Sequence, residues 1–148
     1  MNSKKSAIYK ATSLILLLAV MATIFILSHQ NGEESSQTSG FVTNLLNTIF
    51  RGNAPEFIVR TFGHFCEFAA LGFLLNNCLY AFTGKRKPLI CIALSWTYAW
   101  TDEIHQIFIP GRAFQISDLL VDLAGIIVGT AIICTIIFII EKRKHKAK

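Results

Sequence analysis

The chain has 148 residues, of which 53% are hydrophobic and 16% are charged, and its mean hydropathy is +0.51. A water-soluble domain of this size needs more polar surface to cover its core. The net charge of +5 would suit nucleic acid, but the basic residues cluster beside long apolar blocks, so we do not expect a nucleic-acid partner. The composition predicts an all-α membrane protein whose main partner is the lipid bilayer.

Four apolar blocks predict four transmembrane helices in a single membrane domain, at about residues 8–27, 58–82, 88–107 and 117–140. The first block follows three lysines, as in a signal peptide, but it runs on through Leu27, which predicts an uncleaved span. Asn53 and Pro55 predict the start of the second helix, and Ser117 predicts the cap of the fourth. Residues 141–148 form a basic tail.

The segment between the first two spans has two parts. Residues 28–40 have the composition of a loop, whereas residues 41–50 repeat apolar side chains at helical spacing. The second part is too short and too polar to cross a bilayer. It predicts a short amphipathic helix that lies on the membrane surface.

The distribution of basic residues predicts the orientation. Eleven of the 14 lysines and arginines lie in the N-terminal arm, in the cluster at residues 85–87 and in the tail. Because cytoplasmic segments carry the excess of basic residues, we expect both termini in the cytoplasm and both longer loops outside.

Ionisable residues concentrate at one predicted depth, near the outer ends of the last three spans. Charged groups near a bilayer core are costly, so each requires a partner or a role. The second helix carries three of them on one face, the end of the third carries three together with the polar Gln106, and the turn and fourth helix add three more. The cluster is Arg60, His64, Glu67, Asp102, Glu103, His105, Gln106, Arg112, Asp118 and Asp122. Gly125 and Gly129 continue the stripe of Asp118 and Asp122 as a GxxxG pair, which predicts close helix packing.

Several interpretations of this cluster are open from the residues alone. The groups could form ion pairs that only stabilise the bundle, or His64, Glu67, Glu103 and His105 could bind a metal ion. The two arginines would repel a cation, and the four cysteines show no metal-binding spacing, so we expect no cofactor. Guanidinium groups instead favour phosphate or carboxylate, as found in anionic lipids and cell-wall precursors.

Three motifs resemble the VanZ-like family over most of the chain. The pattern R-x3-H-x2-E-F begins at Arg60, D-E-x-H-Q-x-F-x-P-G-R begins at Asp102, and D-x3-D-x2-G-x3-G begins at Asp118. One residue departs from the family, because Asp122 stands where asparagine is usual; it would need to be protonated or paired. The resemblance implies a multi-pass protein of the bacterial cytoplasmic membrane, related to one associated with teicoplanin resistance, and it implies no particular reaction.

These observations lead to one favoured function and two alternatives. The favoured hypothesis is a cell-envelope protein, non-enzymatic or cryptically enzymatic, whose outer cluster binds an anionic envelope component and modulates glycopeptide susceptibility. The first alternative is an intramembrane hydrolase or transferase, in which His64–Glu67 or Glu103–His105 is the acid–base pair. The second is a structural or partner protein; a transporter fits poorly with four short spans. The oligomeric state is not predicted.

Overall fold

A computed structural model describes residues 3–50 and 55–146 of the chain. The described residues form five helices and no strand, which confirms the all-α class: α1 (Ser3–Ser28), α2 (Gly32–Phe50), α3 (Glu56–Thr83), α4 (Pro88–Gln106) and α5 (Ile116–Lys146). Helix α3 lies at the centre and contacts each of the other four.

Three of the helices are long and apolar enough to cross a membrane, namely Ser6–Ser28 of α1, Phe57–Thr83 of α3 and Ile116–Lys144 of α5. Helix α4 does not qualify by composition, because its last turns carry Asp102, Glu103, His105 and Gln106. The structure therefore supports a membrane protein with three apolar helices of spanning length, one fewer than the sequence predicts.

The surface of the described bundle is more apolar than that of a water-soluble protein, and its interior mixes apolar and polar side chains. Large apolar residues such as Ile15, Ile26 and Ile132 are exposed over the outer surface, whereas polar groups such as Glu103 and Gln106 are fully buried. An apolar outer surface is stable where the surrounding medium is hydrocarbon, and the buried polar groups then lie inside the bundle away from lipid.

The prediction of a loop over residues 28–40 is wrong from residue 32 onward, where α2 has already begun. Asn31 explains the early start, because its Oδ1 accepts a hydrogen bond from the Glu34 backbone N–H (2.9 Å) and its own N–H donates to Glu34 Oε2 (3.1 Å). This reciprocal pairing is a capping box. The polar composition of the segment reflects the first turns of a helix that faces other polar groups.

Two predicted helix starts also need correction. Pro55 precedes α3 at the N-cap position instead of lying in its first turn, and Asn53 lies outside the described residues. Helix α5 begins at Ile116, so Ser117 is inside the first turn, where its hydroxyl donates to Asp118 Oδ1 (3.3 Å). The spacing of turn residues alone did not determine which one precedes the helix.

Helices α3 and α5 approach each other most closely at glycines. A Cβ atom added to Gly125 or Gly129 would collide with the backbone oxygen of Phe65 or Ala69, respectively. Gly72 on α3 faces the backbone of α5 in the same way, and the Thr130 hydroxyl donates to its carbonyl oxygen (3.4 Å). The absence of side chains at these positions allows the backbones to pack directly, which brings α3 and α5 into register near the polar cluster.

Candidate functional site

Three helices bring buried ionisable groups together at one end of the bundle. His64 on α3, Glu103 on α4 and Asp122 on α5 each offer one nitrogen or oxygen atom within 4.8 Å of those of the other two. The separate helices converge because α3 packs against both α4 and α5. The structure thus places one ionisable residue from each of the last three long helices in a single buried group.

His64 and Asp122 form the only His–carboxylate pair among the described residues. The His64 Nδ1 and Asp122 Oδ1 atoms lie 3.3 Å apart, and Asp122 is fully buried. Asp122, which stands where asparagine is usual in the VanZ-like motif, is therefore paired with a histidine. The acid–base pair of His64 with Glu67, considered under the enzyme alternative, is not the pair that the structure shows.

Glu103 contacts the backbone at the start of α5. Its Oε2 accepts a hydrogen bond from the Gln115 N–H at 2.9 Å, and its Oε1 has no hydrogen-bond partner in the described part of the chain. Because the N-terminal N–H groups of a helix lack partners within it, a carboxylate is well placed there. The pairing of Glu103 with His105, also considered under the enzyme alternative, does not form.

Arg112 is held by side chains of two different helices. Its Nη1 donates to Ser35 Oγ (2.6 Å) on α2, and its Nε donates to Gln106 Oε1 (3.3 Å) at the end of α4. Gln106 in turn donates from Nε2 to Asp102 Oδ2 at 3.1 Å. Burial is the main cause that lowers the pKa of Arg112 from its ordinary value, although an arginine remains protonated. The network fixes the guanidinium without neutralising it through an ion pair.

The turn that carries Arg112 depends on Gly111. The φ angle of this glycine is 75°, a conformation that favours a residue without a side chain. Its backbone also packs against Gly32 of α2. The Gly32 N–H donates to the Pro110 carbonyl oxygen at 3.0 Å, which ties the turn to α2. The proline–glycine turn therefore positions Arg112 toward Ser35.

A cavity of about 230 Å³ opens beside this network, between α2, α3 and the end of α4. Six of the ten predicted cluster residues line it, namely Arg60, His64, Glu67, Asp102, Gln106 and Arg112. Arg60 has no hydrogen-bond or ion-pair partner among residues 3–50 and 55–146. The cavity thus contains two cationic groups that are not paired with a carboxylate within the described residues.

The other four cluster residues lie outside the cavity lining. Glu103 and Asp122 lie close to His64 but do not line the cavity, and Asp118 is partly buried in the first turn of α5. His105 lies apart from them, because its Nε2 is 3.2 Å from His29 Nδ1 and its ring stacks on Phe25 with centroids 5.1 Å apart. The structure brings nine of the ten residues to one region and places His105 against the end of α1.

Helix α2 supplies lining residues that the sequence analysis did not identify. Ser35, Thr38, Ser39 and Val42 face the cavity at helical spacing, whereas Phe41 is 71% exposed on the opposite side. The capping box at Asn31 was the signal that would have shown this helix to begin at residue 32.

Comparison with known proteins gives one match. A family model described as VanZ/LLP1 matches residues 13–139, which include every residue of the cluster. No curated protein and no solved structure matches the chain.

Proposed function

Because this chain belongs to the VanZ/LLP1 family, we propose that it is a multi-pass protein of the bacterial cell envelope that binds an anionic envelope component in the cavity beside Arg112. The ligand class is a lipid-linked phosphate or a carboxylate-bearing cell-wall precursor. Occupation of the cavity would alter the access of glycopeptides such as teicoplanin to their target at the cell surface.

The main support for this proposal is that two arginines, Arg60 and Arg112, line the cavity. Arg112 is oriented by Ser35 and Gln106, and Arg60 lies on the facing helix without a carboxylate partner among the described residues. An anion entering the cavity would satisfy the remaining guanidinium N–H groups, and a guanidinium binds phosphate or carboxylate through two parallel hydrogen bonds. The hydroxyls of Thr38 and Ser39 add further donors.

The proposal includes α4 as a fourth span, with both termini in the cytoplasm. Helix α4 buries polar residues such as Glu103 and Gln106, whereas Leu89, Leu94 and Ile104 on its outer face are 80%, 51% and 47% exposed. A helix with an apolar outer face and a polar inner face suits a bundle in lipid. The polar inner residues lower its mean hydropathy although they do not face the lipid. The basic cluster at residues 85–87 would remain inside.

Cysteine labelling tests the fourth span. Ala113→Cys, in the turn after α4, should react with a membrane-impermeant maleimide in intact cells, whereas Lys85→Cys, before α4, should react only after permeabilisation. The two positions are both exposed, so burial does not separate them. The same labelling behaviour at both positions would show that α4 does not cross the membrane.

Glycopeptide susceptibility tests the function itself. Cells that express the wild-type protein should tolerate more teicoplanin than cells with an empty vector, and Arg112→Ala or Glu103→Gln should reduce that tolerance at equal membrane levels. The reason is that Arg112 would contact the anion and Glu103 fixes the start of α5 beside it. If the wild type and both variants behave like the empty vector, the proposed role in susceptibility fails.

A further inference from the structure

The buried group of His64, Glu103 and Asp122 contains more negative charge than its neighbours neutralise. None of the three residues is more than 9% exposed, and the two acids are 0% exposed. A buried carboxylate is costly unless it is hydrogen-bonded, paired or bound to a metal ion. His64 forms an ion pair with Asp122, and no lysine, arginine or histidine of the described residues forms an ion pair with Glu103.

Each of the two acids has one engaged oxygen and one free oxygen. Glu103 Oε2 accepts from the Gln115 N–H, and Asp122 Oδ1 lies 3.3 Å from His64 Nδ1. Glu103 Oε1 and Asp122 Oδ2 are buried with no hydrogen-bond partner in the part of the chain that the structure describes. Since proteins rarely leave buried oxygens unpaired, a bound cation would account for both at once.

The nearby arginines do not outweigh this negative charge. The same layer holds five acids, Glu67, Asp102, Glu103, Asp118 and Asp122, against two arginines, Arg60 and Arg112. Arg112 also directs its Nη1 and Nε toward Ser35 and Gln106 instead of toward the histidine group. With the acids ionised, the local balance attracts a cation, contrary to the repulsion expected from the sequence.

The geometry also fits a single ion. Imidazole and carboxylate donors about 2.0–2.2 Å from a tetrahedral ion lie about 3.3–3.6 Å from each other. One nitrogen or oxygen atom of each residue lies within 4.8 Å of those of the other two, so the three side chains need to move by only about an ångström to reach this spacing. One imidazole and two carboxylates are a donor set that suits divalent transition metals.

We propose that His64, Glu103 and Asp122 bind one divalent transition-metal ion of the zinc class between α3, α4 and α5. The set differs from the one considered from sequence, because Glu67 and His105 are not part of it. Three protein ligands leave a coordination position for water or a ligand group. Only His64 is shared with the lining of the anion cavity, since Glu103 and Asp122 do not line it.

Zinc binding to the purified full-length protein tests the proposal. The protein is stripped with a chelator in detergent, titrated with Zn²⁺ by equilibrium dialysis, and assayed for bound metal by mass spectrometry. We expect one ion per chain for the wild type and for Glu33→Gln, an exposed carboxylate on α2 that serves as the control. Glu103→Gln and Asp122→Asn should each weaken binding by about tenfold or more.

Thermal unfolding gives an independent measurement. Zinc should raise the unfolding midpoint of the wild type and of Glu33→Gln, because a ligand that binds only the folded state stabilises it, and should raise those of the two ligand variants less. Wild-type protein that stays folded and binds no zinc would overturn the proposal whatever the variants do. Folded Glu103→Gln that binds zinc as tightly as the wild type would also overturn it, and this variant decides the matter if Asp122→Asn fails to fold.

Discussion

Replacing Gly129 by leucine is expected to destabilise the protein more than any other single change considered for this bundle. A Cβ atom at this position would overlap the backbone carbonyl oxygen of Ala69, and no rotation of a side chain can move a backbone atom aside. Helices α3 and α5 must separate to admit the leucine, which also pulls His64 away from Asp122. Overpacking of this kind costs about 2–3 kcal/mol in the free energy of unfolding, and denaturation in detergent measures it.

Gly40→Leu provides the matched control for this prediction. It makes the same chemical change within a helix, but a Cβ atom at Gly40 meets nothing within 4 Å. The Gly40 variant should therefore retain the stability of the wild type or exceed it slightly, since leucine favours the helix more than glycine does. Equal losses of stability at the two positions would show that α3 and α5 do not meet at Gly129.

Arg112→Ala is expected to weaken the binding of a phosphate-bearing lipid by about 10- to 100-fold. Hydrogen bonds to charged groups contribute about 1.5–3 kcal/mol each, which corresponds to that range in the dissociation constant. Arg112→Lys should fall between the alanine variant and the wild type, because lysine keeps the charge and loses the forked geometry. Equilibrium binding of a polyprenyl phosphate to the detergent-solubilised protein measures both effects.

The two variants also separate binding from folding. Loss of Arg112 leaves Gln106 Oε1 without its partner, and Gln106 is fully buried. A loss of stability of about 1–3 kcal/mol is therefore expected for Arg112→Ala. Binding is compared only where circular dichroism shows the same helical content, so that the change in affinity reports on the cavity.

Hydropathy and charge were enough to predict much of the fold from the sequence. They predicted the helical class, the positions of α1, α3, α4 and α5, and the shared depth of the polar groups, because they determine these features directly. Long apolar blocks form helices in a bilayer, since every backbone group must be hydrogen-bonded there. The start of α2 was missed because the serine-rich composition of residues 32–40 resembles a loop, although Asn31 and Glu34 carry the capping signal.

The pairing of residues within the cluster could not be predicted in the same way. Helical spacing places His64 and Glu67 on one face of α3, but it does not determine which neighbouring helix each side chain meets. The approach of α5 at Gly125 and Gly129 brings Asp122 to His64, and contact with the end of α1 takes His105 toward His29. These outcomes depend on packing between helices, which a single sequence does not specify.

Polyprenyl phosphate binding to three proteins tests whether the cavity beside Arg112 binds an anion. The proteins are the wild type, Arg112→Ala and Arg143→Ala, which removes an exposed arginine near the end of α5. We predict saturable binding of equal affinity for the wild type and Arg143→Ala, and at least tenfold weaker binding for Arg112→Ala. Equal affinity for all three proteins, each correctly folded, would contradict the proposed site.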